Sequence, residues 1–66
     1  MQSYVTGEVI RSLREKRRLT QRDLAQRLNV SDKTISKWET GRGLPDITLL
    51  EPLAGALGVS VTELLS

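Results

Sequence analysis

The sequence predicts an all-α fold: one compact domain of five short helices over residues 1–66. Three observations predict it. Between Gln21 and Thr40, two amphipathic segments of helical period are joined by the two-residue turn Asn29-Val30. No stretch alternates apolar and polar residues as a half-buried strand does. Helix-opening residues (Thr20, Ser31, Ser60) and helix-closing glycines (Gly41, Gly58) punctuate the chain at short intervals. A chain of 66 residues is near the lower limit for a self-sufficient core, so its apolar side chains must serve one core.

Helix 1 is expected from Tyr4 to Arg17, with Ile10 and Leu13 inward and Arg11, Glu15 and Lys16 in solvent. Arg18 falls just past its end, where a left-handed residue is favoured. Helix 2 follows Thr20, an N-cap, with Asp23 completing a capping-box variant and suiting the helix dipole. Its buried stripe is Leu24, Ala25 and Leu28. Asn29 tolerates the positive φ that the turn needs.

Helix 3 follows Ser31, again an N-cap, carries Asp32 in its first turn and ends at Gly41. Arg42-Gly43-Leu44-Pro45 is a loop. Helix 4 is expected from near Asp46 to Gly58, with Pro52 inside it removing a hydrogen bond and bending its first turn and a half. In helix 5, Ser60 and Glu63 make a capping box, and Val59 with Leu64 a hydrophobic staple. The expected core is Ile10, Leu13, Leu19, Leu24, Ala25, Leu28, Val30, Ile35, Trp38, Leu50, Leu53, Ala54, Leu57, Val59, Val61 and Leu64.

Helices 2 and 3 are fitted to cross. Ala25 is small enough for the axes to approach closely. Ile35 and Trp38, three apart, pack helix 3 back onto helix 2. Trp38 on that inward face reads as core and not as a ligand platform. This is the layout of a DNA-binding helix-turn-helix, whose second helix can lie in the major groove.

Composition narrows the function. The chain has no Cys and no His, which removes disulfides, thiolate metal sites and the usual general base. No nucleophile–base set assembles, so an enzyme is not expected, nor a cofactor or metal. No signal peptide or membrane-length apolar run is present, and a cytoplasmic, bacterial nucleoid-associated protein is expected. Residues 1–42 hold all ten basic residues and five acids, a net +5. Residues 43–66 hold three acids and no base, a net −3, which leaves +2 overall. Such asymmetry suits one face for a polyanion.

With Ile35 and Trp38 inward, residues 32, 33, 36, 37 and 40 lie on the exposed face of helix 3. Lys33 and Lys37, four apart, can reach one groove and donate to guanine or phosphate; the alternative is a solvated pair. Asp32 can accept from cytosine N4, but more readily complements the helix dipole. Ser36 is short enough for close approach and outranks Thr34 for a base contact. Ser31 is a cap first, with any DNA contact secondary. Gln21, at the start of helix 2 among unpaired N–H groups, is a natural phosphate seat, or else only an exposed helix former.

The runs Leu-Thr-Gln-Arg-Asp-Leu-Ala (19–25), Val-Ser-Asp-Lys-Thr-Ile-Ser-Lys-Trp-Glu-Thr-Gly (30–41) and Leu-Ala-Gly-Ala-Leu-Gly-Val-Ser (53–60) together resemble the Cro/lambda-repressor type of helix-turn-helix domain, also named for the xenobiotic response element. The resemblance spans essentially the whole chain and implies a lambda-repressor-like fold. It implies base reading at Asp32, Lys33 and Lys37, and phosphate contact at Gln21, Thr40 and Arg42. It also implies a structural salt bridge between Arg14 and Glu39. By sequence alone that pair reads either as exposed and weak or as partly buried between helices 1 and 3. The chain departs from the family at Arg18, where Gly is frequent, and at Asp32, where Gln is frequent.

The function expected is sequence-specific binding of double-stranded DNA by a transcriptional regulator, with repression by steric block and helix 3, about residues 32–40, in the major groove. The rival is a protein-interaction module docking through the apolar helix 5. One module covers few base pairs, so a homodimer on an inverted-repeat operator is expected, with Leu65 of helix 5 as the foremost contact. A sensor or dimerisation part can lie outside these 66 residues, as in a longer regulator.

Overall fold

A computed structural model describes residues 5–65. In chain order the helices are α1 (Gly7–Lys16), α2 (Gln21–Leu28), α3 (Asp32–Glu39), α4 (Leu50–Leu57) and α5 (Val61–Leu65), with a 3-10 turn at Ile47–Leu49. No strand occurs among the described residues. The five helices enclose one core, in which α3 packs on α1 and α2, and α4 packs on α1, α2 and α5.

Four of the helices, all but α4, begin where a side chain takes an orphan N–H. Thr6 caps α1 by accepting from the Val9 N–H at 3.3 Å. The helix therefore starts at Gly7, later than the sequence suggests; Tyr4 lies outside the described residues. At α2 the Asp23 N–H donates to Thr20 Oγ1 and the Thr20 N–H donates to Asp23 Oδ2, both at 2.9 Å. Ser31 Oγ accepts from the Thr34 N–H at 3.2 Å. The capping box of α5 is also complete, between Ser60 and Glu63.

The first four helices end the same way. Arg18, Asn29, Gly41 and Gly58 take φ of 57°, 59°, 78° and 74°. In each case the next residue's N–H donates five positions back: Leu19 to Arg14, Val30 to Ala25, Arg42 to Lys37 and Val59 to Ala54, at 2.8–3.1 Å. This left-handed closure satisfies late carbonyls and reverses the chain sharply. It costs glycine little and Arg18 about 1–2 kcal/mol.

Two expectations about the second half are corrected. The α-helix begins at Leu50, after the 3-10 turn, and not near Asp46. Pro52 is thus the third residue of α4, where an N–H has no intrahelical partner anyway, so no interior hydrogen bond is lost there.

The core holds Val5, Ile10, Leu24, Ala25, Leu28, Ile35, Trp38, Leu50, Leu53, Ala54, Ala56, Leu57 and Leu64, with Leu13, Val30, Val59 and Val61 packed partly against it. Leu19 does not belong to it. The turn at Arg18 leaves Leu19 half-buried on the outer side of α2, beside Asp23, Gln26 and Arg27. Val5, Ala56 and the fully buried Pro45 are additions. A Cβ on Gly7 meets the carbonyl oxygen of Trp38 in hard contact and lies 2.7 Å from that of Glu39. The start of α1 therefore rests directly on the end of α3.

Two substitutions separate these constraints. Gly7→Ala is expected to lower stability by about 1–3 kcal/mol through overpacking. Arg18→Gly is expected to be neutral or to stabilise by up to about 1 kcal/mol, since relief of the left-handed backbone opposes the greater entropy of unfolded glycine. Thermal melts check both. A destabilised Arg18→Gly protein shows that the Arg18 side chain makes a needed contact.

Candidate nucleic-acid interface

Helix α3 has two faces. Ile35 and Trp38 are buried, as are Leu24, Ala25 and Leu28 on α2, and α3 packs more extensively on α2 than on any other element. Ala25 leaves room for this crossing. On the outer face Asp32, Lys33, Lys37 and Thr40 are exposed and Ser36 is half-buried. Lys33, Ser36, Lys37, Thr40 and Arg42 line one shallow depression. The fold thus gathers three cations and two hydroxyl residues from α3 and its closing turn. Asp32 is exposed at the start of α3, outside that group.

The hydroxyls are partly committed. Ser31 caps α3, and its Oγ lies 3.0 Å from Thr34 Oγ1. Thr40 Oγ1 donates to the Ser36 carbonyl at 2.8 Å. Its proton already serves the last turn of α3, so a phosphate there competes with the helix for it.

Behind α3 lies an ion pair shielded from water. Arg14 Nε donates to Glu39 Oε2 at 2.7 Å and Arg14 Nη2 to Glu39 Oε1 at 3.1 Å. The side chains are 12% and 3% exposed, which decides for the buried alternative. Arg14 Nη1 donates to the Leu19 carbonyl at 2.7 Å, and Gln21 Nε2 donates to Glu39 Oε1 at 3.0 Å. Burial raises the Glu39 pKa, but the hydrogen bonds from Arg14 and Gln21 and the Arg14 charge outweigh it, holding the carboxyl below its usual range. The same ion pair holds the Arg14 guanidinium above its ordinary value.

Gln21 therefore stands at the first position of α2, as the sequence indicates, but its carboxamide is tied to α3. Residue spacing carries no sign of this bond, because it spans eighteen positions. On α5, Leu64 is buried, and Val61 and Leu65 pack partly on the core. The large apolar side chains exposed among the described residues are Leu44 and Ile47, at 64% and 74%, just beyond α3. No group of three His, Cys, Asp or Glu is placed to hold a metal, and no helix is long and apolar enough to cross a membrane, among the described residues.

These features define a helix-turn-helix domain with a basic outer helix. A helix-turn-helix family model matches residues 10–64, and the chain belongs to that family, of the Cro/lambda-repressor type. It is 42% identical over 60 residues to the HTH-type transcriptional activator BcrR of Enterococcus faecalis, covering 91% of this chain and 29% of that protein. The P22 c2 repressor in complex with a synthetic operator superposes with a TM-score of 0.86 at 35% identity, over 94% of each chain. Hydroxypropylphosphonic acid epoxidase from S. wedmorenis contains the same fold, with a TM-score of 0.82 at 29% identity, over 100% of this chain and 36% of that one. The chain spans less than half the length of the curated relatives it matches.

The depressed Glu39 pKa sets an acid limit. Its contribution is present above the ordinary glutamate pKa, about 4.3, and is lost as pH falls through the lower folded value. The melting temperature is expected to hold steady from about pH 7 to 5 and to fall below about pH 4. Glu39→Gln should start lower and flatten that fall. An equally steep fall in this variant assigns the acid sensitivity elsewhere, with Asp23 the next group, since the Thr20 backbone N–H lowers its pKa as well.

Proposed function

We propose that this chain is the DNA-binding domain of a transcriptional regulator, and that it reads a specific double-stranded sequence with α3 in the major groove. One observation carries the reading: the outer face of α3 is polar, basic and open, while every large apolar side chain of α3 is turned inward. That face suits base edges, whereas a protein-docking groove is apolar at its centre. Membership in the family supports the reading, as do a relative named as a transcriptional activator and a fold neighbour that binds operator DNA.

In this reading Lys33, Ser36 and Lys37 face the bases, with Asp32 at the edge of the groove. Gln21, Ser31, Thr40 and Arg42 face phosphates on either side. The domain binds and does not catalyse, and any catalytic part of a longer protein lies outside it. Repression by occupying a promoter is the proposed mode, in the cytoplasm on the bacterial nucleoid. Selection of bound duplexes from a random pool tests the core of this. Recovery of one consensus supports sequence-specific reading, and recovery of no enriched sequence contradicts it.

Once a site is in hand, Lys33→Ala or Lys37→Ala should cost about 1–3 kcal/mol and relax preference at one or two base pairs. Arg42→Ala should weaken all duplexes alike and reduce the salt slope by about one unit. Unchanged affinity and slope in all three variants contradict the assignment of α3.

Binding is proposed to be two-fold symmetric, on an inverted repeat with recognition helices about 34–36 Å apart. Leu65 of α5 is half-buried and stays a candidate for the contact. Leu44 and Ile47, exposed between α3 and α4, are further apolar groups open to a second copy. Native mass spectrometry is expected to find two chains per operator, and Leu44→Ser with Ile47→Ser is expected to abolish cooperativity. Tight, specific one-to-one binding to a single half-site contradicts the dimer.

A further inference from the structure

The Gln21 carboxamide bears on how the DNA backbone is held. Its nitrogen donates to Glu39 Oε1, the oxygen that also accepts from Arg14 Nη2. An ionised carboxylate only accepts, so the nitrogen side of the carboxamide must face Glu39, since the flipped orientation sets two oxygens against each other. Arg14, paired to both carboxylate oxygens and to the Leu19 carbonyl, keeps that acceptor in place. One hydrogen of Nε2 is then engaged inward and the second is left for another acceptor. Around it, the Asp23 N–H is taken by Thr20 Oγ1 and the Leu24 N–H by the Thr20 carbonyl, while the Gln21 and Arg22 N–H groups are the first two of the helix and find no partner within it.

We propose that Glu39 is a positioning residue for the phosphate grip of α2: it orients the Gln21 carboxamide so that one nitrogen bridges two anions, the Glu39 carboxylate and a DNA phosphate. This rests on the reading of α2 and α3 as the DNA-binding face and deepens it. Glu39 is the last residue of α3 and Gln21 the first of α2. A single carboxylate thus fixes where the backbone is held relative to where bases are read. Side-chain drift at Gln21 would otherwise let α3 slide along the groove. The hydrogen bonds from Arg14 and Gln21, with the Arg14 charge, hold the Glu39 pKa below its ordinary value, so the carboxylate remains an acceptor near neutrality.

The probe is the duplex recovered by selection, carrying single methylphosphonates that neutralise one phosphate at a time. For wild-type protein, one substitution per half-site is expected to weaken binding roughly tenfold through loss of the Gln21 hydrogen bond to a charged acceptor. Gln21→Met should erase the penalty at that phosphate and leave the others. Glu39→Gln should erase the same penalty with Gln21 still present. If Glu39→Gln instead weakens binding to every duplex by one common factor, its role is only structural and the proposal fails. Should Glu39→Gln not fold, the two side-chain amide protons of Gln21 in the wild-type protein give the answer by NMR. On adding the duplex, the proton bonded to Glu39 is expected to keep its shift while the other moves. Movement of both, or of neither, overturns the proposal. A wild-type protein that recovers no duplex overturns the reading of the whole face, whereas binding without a Gln21-linked phosphate overturns the positioning role alone.

Discussion

The Glu39 carboxylate is the constraint on which the helical arrangement depends. Burying an ionised group costs several kcal/mol unless charge and hydrogen bonds compensate it. Here the compensation comes from two other helices: Arg14 of α1 supplies two hydrogen bonds and the opposite charge, and Gln21 of α2 supplies a third hydrogen bond. The three helices must keep their mutual orientation for the charge to remain satisfied. The contact of Gly7 with the carbonyls of Trp38 and Glu39 closes the same corner by shape. Removing one partner is therefore far more damaging than the modest net worth of the pair would suggest, because a charge is left buried and alone.

That corner gives α3 its use. The core side chains Ile35 and Trp38 hold the helix from behind, and Glu39 holds its end. The outer face needs no packing role and is free to carry Lys33, Ser36 and Lys37. The four left-handed closures serve the same end, since each reverses the chain within a residue or two and keeps the helices short and tightly packed. Charge follows the division: the basic residues lie on the part of the chain that forms α1 to α3 and the turn after it, and the acidic excess on the part that forms α4 and α5. A polyanion meeting α3 is attracted on one side and not held on the other.

Much of this is written locally and so was legible in the sequence. The caps at Thr20, Ser31 and Ser60, the capping boxes, and the closures at Arg18, Asn29, Gly41 and Gly58 involve residues within a few positions of one another. The inward pair Ile35 and Trp38 follows from helical period alone. What escaped is tertiary. The bond from Gln21 to Glu39 and the seat of Gly7 on the end of α3 join segments distant in the chain, and no spacing rule reports them. Burial of Arg14 with Glu39 stood open for the same reason, because a charged pair looks alike in sequence whether or not a third helix covers it. Leu19 was misplaced because apolarity says that a side chain prefers burial, not which way a turn will aim it. Exposure of Leu44 and Ile47 was likewise invisible, since their neighbour Pro45 is fully buried.

The central claim is that the open face of α3, positioned from behind by Glu39, is the surface that meets DNA. An NMR titration of the isotope-labelled chain with the selected duplex tests it most directly. The account predicts that the largest shifts fall on Lys33, Ser36, Lys37, Thr40 and Arg42 and at the start of α2, with α4 and α5 little changed. Shifts centred on α5 or on the groove that Val9, Leu13 and Val59 line between it and α1, with α3 unmoved, contradict it.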